Sequence, residues 1–99
     1  MRTLARFTFP VEASNKAIQD GSLGTIVEKL MAKLQPEAAY FLASDGMRSG
    51  LFVFDLKDPS DIPAICEPLF NGLNAAVDFT PVMNPDDLRA GLKKYADSR

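Results

Sequence analysis

Residues 37–56 read EAAYFLASDGMRSGLFVFDL, and this stretch decides the fold. Residues 37–44 and residues 51–56 are rich in aromatic and aliphatic side chains, which predicts two β-strands. Asp45-Gly46 between them is a turn signal, because glycine adopts a positive φ without steric cost. We expect a loop over roughly residues 45–49, longer than the two-residue minimum. The stretch therefore predicts an antiparallel hairpin in the middle of the chain.

The residues before the hairpin predict one strand and one broken helix. Residues 2–9 alternate with period two and end at Pro10, as a strand does. Residues 12–34 have the apolar spacing of a helix, interrupted at Gly21. Ser22 is expected to cap the second piece, since its hydroxyl can accept a free backbone N–H.

The residues after the hairpin predict a helix, a strand and a second helix. Residues 62–73 carry a helical apolar stripe, which Pro68 is expected to kink or split. Residues 75–83 predict a strand, and Pro81 favours an edge position because it has no N–H to donate. Asn84-Pro85-Asp86-Asp87 is typical of a helix start.

The predicted element order is β-α-β-β-α-β-α. We expect an α+β fold of the ferredoxin-like βαββαβ type, with a C-terminal helix and an antiparallel four-stranded sheet. Right-handed crossovers place the first and third strands in the middle and the second and fourth at the edges. Residues 1–99 are expected to form a single domain.

Composition excludes several classes of function. The chain contains no histidine and one cysteine, so an imidazole base, a histidine metal ligand and an internal disulfide are excluded. We expect no metal and no cofactor. The net charge of −2 and the lack of a basic cluster disfavour nucleic acid. No apolar run approaches the ~20 residues of a membrane span. A lone thiol is typical of a reduced, cytoplasmic protein.

Period-two alternation divides the strand residues into two faces. We expect a helix-facing set without charges, composed of Ala5, Phe7, Phe9, Ala39, Phe41, Leu51, Val53, Val77 and Phe79. The opposite set is then Leu4, Arg6, Thr8, Tyr40, Leu42, Phe52, Phe54, Asp78 and Thr80. The second set is too apolar to face water in a monomer. It predicts a homodimer in which two sheets pack face to face around a pocket.

This combination of strand order and a two-faced sheet resembles the dimeric α+β barrel proteins. A closer resemblance is to a group of small bacterial proteins of this type, to which no activity is assigned. It rests on residues 36–41, 52–63 and 79–83. The resemblance implies the fold and the dimer, and it implies no catalytic residues.

Polar and aromatic groups of the second face are the candidate ligand site. Arg6 can hold a carboxylate through its two-pronged donor geometry, Tyr40 can donate a hydrogen bond, and Asp78 can orient Arg6 or act as a base. The full candidate set is Arg6, Thr8, Tyr40, Phe52, Phe54, Asp78 and Thr80. The alternative is that Arg6 and Asp78 form a structural ion pair, either across adjacent strands or at the dimer interface, with Tyr40 packed beside them. The catalytic residues, if there are any, stay unknown.

Other chemically active residues have simpler explanations. Cys66 lies on an apolar helical stripe without a base, so we expect a structural role. Asp58, Asp61, Asp86 and Asp87 fall at two helix starts, where they are expected to cap helices and not to bind a cation.

Two functions from different classes remain open at this point. The first is a small-molecule-binding or regulatory homodimer whose ligand is a small apolar or aromatic acid. The second is a cofactor-independent monooxygenase or isomerase of the dimeric α+β barrel type. A minor alternative is an RNA-binding module that stacks bases on Phe52 and Phe54.

Overall fold

The computed structural model describes every residue from Met1 to Arg99. Its strands are β1 (Arg2–Phe9), β2 (Ala38–Ser44), β3 (Met47–Asp55) and β4 (Ala76–Pro81). Its helices are α1 (Val11–Gln19), α2 (Ser22–Leu34), α3 (Ile62–Leu73) and α4 (Pro85–Ser98), and a short 3₁₀ turn, Pro59–Asp61, precedes α3.

The four strands form one antiparallel sheet in the order β2-β3-β1-β4. The expected α+β class and the central positions of β1 and β3 are therefore confirmed. Pro81 lies on the edge strand β4, where its missing N–H costs no ladder hydrogen bond. The arrangement is compatible with a ferredoxin-like sheet.

Local signals fix most of the helix boundaries. The helical stretch breaks at Gly21, whose φ of 81° requires glycine-like freedom. The expected cap by Ser22 is wrong: the carboxylate of Asp20 accepts the Ser22 N–H instead, at 2.8 Å. Asp58 caps the 3₁₀ turn, accepting the Ser60 N–H at 2.9 Å. Helix α3 runs unbroken through Pro68, so the expected split is wrong.

Helix α4 begins with a complete capping box. The Asn84 side chain accepts the Asp87 N–H at 2.8 Å, and the Asp87 carboxylate accepts the Asn84 N–H at 3.1 Å. The predicted helix start at this point is confirmed.

The hairpin is tighter than expected. Ser44 pairs directly with Met47, so the turn contains only Asp45 and Gly46, with φ values of 54° and 76°. Two consecutive positive φ angles are typical of the two-residue turns that match strand twist. Strand β3 therefore starts at Met47, four residues earlier than the predicted third strand.

One apolar core lies between the sheet and helices α1, α2 and α3. Its buried members are Ala5, Phe7, Phe9, Ala17, Leu30, Phe52, Phe54, Ile65, Leu69, Leu73 and Ala75. Rings of Phe7 and Phe52 meet edge to face with centroids 5.0 Å apart, and those of Phe54 and Phe79 do so at 5.7 Å.

The predicted faces are correct for β1, β2 and β4 and wrong for β3. Phe52 and Phe54 are 0% and 2% exposed and belong to the core, whereas Leu51 and Val53 lie on the opposite face. Register explains the correction: Phe52 pairs with both Ala5 and Ala39, which face the helices. The phase of β3 is thus shifted by one residue.

Candidate functional site

The sheet face that no helix covers is the candidate site, and we call it the open face. Cross-strand pairing arranges it in three rows. Each row contains one residue from each strand, in the order β2, β3, β1, β4. The first row is Ala38, Val53, Leu4 and Thr80, the middle row is Tyr40, Leu51, Arg6 and Asp78, and the third row is Leu42, Ser49, Thr8 and Ala76.

The middle row brings together the three polar residues that the sequence singled out. Arg6 pairs with Asp78 on one side and with Leu51 on the other, and Leu51 pairs with Tyr40. Neighbouring strands lie about 4.8 Å apart, so the row is about 14 Å wide. Thr8 and Thr80 lie in the adjoining rows. Five of the seven candidate residues therefore share one surface.

Phe52 and Phe54 are the two candidates that the structure removes from this surface. Both rings are buried beneath the helices. They line no pocket on the open face, and no nucleic acid base can stack on them. Leu51 and Val53 take their places as apolar neighbours of Arg6 and Leu4.

Arg6 is exposed and has no carboxylate partner. Within one chain, the expected ion pair of Arg6 with Asp78 across adjacent strands does not form. Instead the guanidinium Nη2 donates to the Ser44 hydroxyl at 3.4 Å, across β3. Most of the five guanidinium donors therefore remain free for a ligand. Ser44 was not among the predicted site residues, although the alternation of β2 through Tyr40 and Leu42 places it on this face.

Arg2, unlike Arg6, forms ion pairs with two carboxylates. Its Nε lies 2.6 Å from Glu37 Oε1 and its Nη1 lies 3.0 Å from Asp87 Oδ2. The hydrogen bond and charge of Glu37 raise the pKa of Arg2. Arg48 is also occupied, since its Nη1 donates to Ser14 Oγ at 2.7 Å and to Asn15 Oδ1 at 2.9 Å. Arg6 is thus the guanidinium of the sheet that lacks strong partners.

The open face is apolar around Arg6. Leu4, Leu51 and Val53 are half-buried, and Tyr40 is 65% exposed. Ser49 is buried on this face, and its hydroxyl donates to the Met47 carbonyl at 3.2 Å. A free cation among uncovered aliphatic side chains suits a ligand with an anionic end and an apolar body.

The remaining reactive groups do not extend the site. Cys66 is buried on α3, and burial together with the Glu67 charge raises the pKa of its thiol, which keeps it protonated and unreactive. No group of three or more carboxylate or thiol side chains lies close enough to hold a metal ion. None of the helices combines the length and apolar character needed to cross a bilayer.

Comparison of the chain with protein-family models finds no match, and comparison with curated protein sequences finds none either. The resemblance to small bacterial barrel proteins therefore stays a prediction.

Proposed function

We propose that the protein is a homodimer of ferredoxin-like subunits that binds a small apolar or aromatic acid between its two open faces. The single observation that supports this most directly is the Arg6 guanidinium, which has no carboxylate partner and lies beside the apolar Leu51. The assembly is that of a dimeric α+β barrel, in which each sheet covers the other.

The apolar part of the open face supports the dimer. Leu4, Leu51, Val53, Tyr40 and Leu42 all lie on it and none is fully buried. An uncovered apolar patch of several hundred Å² is unusual for a monomer. Pairing of two such faces removes the patch from water and lowers the dielectric constant around Arg6, which strengthens its attraction to a carboxylate.

The acid–base inventory favours binding over conversion. The chain has no histidine, so the row offers only a guanidinium, a phenol and a carboxylate. The guanidinium of Arg6 can orient an acid, but it carries only N–H donors and offers no acceptor. Thr8, Thr80 and Tyr40 add hydrogen-bonding groups at the edges of the pocket. The single free thiol and absence of a disulfide fit a reducing, cytoplasmic setting.

Thermal shift with benzoate and phenylpyruvate tests the proposal. Both compounds carry a carboxylate for Arg6 and a ring for the aliphatic side chains. We expect millimolar ligand to raise Tm of the wild-type chain and of Arg89→Met, and to leave Tm of Arg6→Met unchanged. Arg89 is a matched control because it is an exposed arginine on α4, paired with Asp86.

Equal shifts in the two variants would contradict a role for Arg6, and no shift at any concentration with either acid would overturn acid binding. Chromatography of the acids after incubation completes the test. Recovery of unchanged acid supports a binding protein. Formation of a new product would instead support the enzyme alternative, a cofactor-independent isomerase or monooxygenase.

A further inference from the structure

Helix α4 carries an apolar stripe that no other helix or strand of its own chain buries, although the Arg99 guanidinium lies 5.7 Å from the centroid of the Tyr95 ring. Leu88, Leu92 and Tyr95 follow the i, i+4, i+7 spacing of one helix face and are 46%, 57% and 64% exposed. No residue of α4 is buried. The start of the helix is nevertheless well fixed, by the Asn84 capping box and by the Arg2–Asp87 ion pair.

The dimensions of the chain show that α4 extends away from the body. The radius of gyration is 16.0 Å, against about 13 Å for a compact domain of this length. The longest dimension is 56 Å. A nine-residue strand such as β3 spans about 30 Å and a 14-residue helix about 21 Å. The body and α4 therefore lie roughly end to end.

Edge strand β2 presents a second uncovered apolar surface. Tyr40, Phe41 and Leu42 are 65%, 55% and 38% exposed, although consecutive side chains point to opposite faces. Beside them is a cavity of about 450 Å³, which we call the edge notch. Its apolar lining is Phe9, Leu23, Val27, Phe41 and Leu42. Both sides of this edge thus lack a cover.

We propose that α4 of one copy lies along β2 of a second copy, with Leu88, Leu92 and Tyr95 packed over Phe41 and Leu42 and into the edge notch. The proposal rests on the dimer of the proposed function. The lengths agree, because seven residues of β2 span about 23 Å and α4 spans about 21 Å. Its own α4 follows β4, which lies at the opposite edge of the sheet from β2.

The buried area that a stable dimer needs also favours contact of α4 with β2 of a second copy. An open face about 19 Å wide and 20 Å long buries about 760 Å² when two copies pair. That is below the ~1,000 Å² that a specific interface normally exceeds. Each α4 covers a surface about 10 Å wide and 21 Å long on the other copy. Counting both helices, and both contacting surfaces of each, these contacts bury about as much area as the two open faces do. The total then reaches about 1,600 Å², the usual size of a stable interface.

Disulfide trapping tests the contact directly. In a Cys66→Ala background, Leu92→Cys together with Phe41→Cys is expected to give a covalent dimer after mild oxidation. Ala90→Cys together with Phe41→Cys is the control, because Ala90 lies on the other side of α4, about 200° around the helix from Leu92. Trapping at least ten times faster for the first pair supports the proposal. Equal trapping of the two pairs, or none, overturns it.

Sedimentation equilibrium separates this proposal from the sheet-face dimer. We expect Leu92→Glu to weaken the dimer Kd at least tenfold and Ala90→Glu, which adds the same charge, to leave it unchanged. Leu51→Glu tests the open face independently. A dimer weakened by Leu51→Glu alone overturns the α4 contact and retains the proposed function. Weakening by Leu92→Glu alone supports the α4 contact between copies and overturns the pairing of the open faces, and with it the proposed function. A monomeric wild-type chain of 10.8 kDa overturns both.

Discussion

Replacing Gly50 by alanine tests the corrected phase of β3. Gly50 lies on the helix-facing side of β3, opposite Phe7 on β1 and Phe41 on β2. A Cβ at this position would be 2.5 Å from Phe7 Cε2 and 3.1 Å from Phe41 Cδ1. Real Cβ atoms do not approach carbon so closely, so the Phe7 ring must move.

The expected loss of stability depends on how tightly the Phe7 ring is packed. Phe7 is 1% exposed and lies against Phe52 and Phe9, with centroids at 5.0 and 5.6 Å. Overpacking of a core in this way costs about 1–3 kcal/mol. The lower chain entropy of unfolded alanine offsets about 0.4–1 kcal/mol of this. We expect a net loss of about 1–2 kcal/mol, which lowers Tm of a domain of this size by about 4–16 °C.

Urea and thermal unfolding followed by circular dichroism measure the effect, with all variants at one protein concentration. Gly24→Ala is the matched control, because a Cβ there meets nothing within 4 Å and the site is helical. We expect it to gain about 0.5–1 kcal/mol. If Gly50→Ala is as stable as the wild-type chain or more so, Gly50 faces open space and the assignment of the two faces of β3 is refuted.

Three further predictions concern other parts of the fold. Arg48→Met, which removes the charged hydrogen bonds to Ser14 and Asn15, is expected to destabilise the chain by about 1.5–3 kcal/mol in urea unfolding. Cys66 is expected to react with iodoacetamide at least a hundredfold more slowly in native than in urea-unfolded protein; equal rates would contradict its burial. Hydrogen bonds from the Ser60 hydroxyl and N–H lower the pKa of Asp58 below its ordinary value of 3.8. The ionised Asp58 carboxylate therefore stabilises the fold above pH 3.8, and this stabilisation is lost as the pH falls through the lowered pKa of the folded state. Asp58→Asn, which keeps an acceptor, is expected to flatten the decline in Tm below about pH 4.

Element types and strand order were predictable because local signals agreed with one another. Proline at the ends of helices and strands, the break at Gly21 and the alternation of β1 are short-range features, and each appears in the structure where the sequence placed it. Edge placement of β4 followed from two independent arguments, the missing N–H of Pro81 and the right-handed crossovers. The position of Arg6, Tyr40 and Asp78 on one face followed from alternation, whereas their position in one row depends on the register of the strands.

The phase of β3 was only weakly marked by its own residues. Leu51, Phe52, Val53 and Phe54 are all apolar, and Asp55 at the end of the strand is the one charged residue that marks the side of Leu51 and Val53 as the solvent side. The missing information lay in the turn. A two-residue turn at Asp45-Gly46 pairs Ala39 with Phe52, and the sequence had already placed Ala39 toward the helices. Expecting a longer loop removed this constraint, and Phe52 and Phe54 were assigned to the wrong face.

The ionic contacts of the site were beyond sequence reasoning for a different reason. Arg6 and Asp78 lie opposite each other on the adjacent strands β1 and β4, so the sequence pattern alone favours an ion pair between them. A long arginine side chain can also reach two strands away, and here it extends to Ser44. Which of these contacts forms depends on side-chain packing that a linear pattern does not contain.

The position of β1 between β3 and β4 has a consequence for the order of folding. The β2–β3 pair closes over a turn of two residues, a contact that forms on the microsecond timescale. Strand β1 instead pairs Phe9 with Arg48 and Thr8 with Ala76, so each of its partners lies at least 39 residues away along the chain. Closing such long loops is slow because their entropy cost precedes any gain from pairing. The first of the four strands in chain order is therefore expected to be incorporated last, and conservative changes in β1 are expected to speed unfolding more than they slow folding.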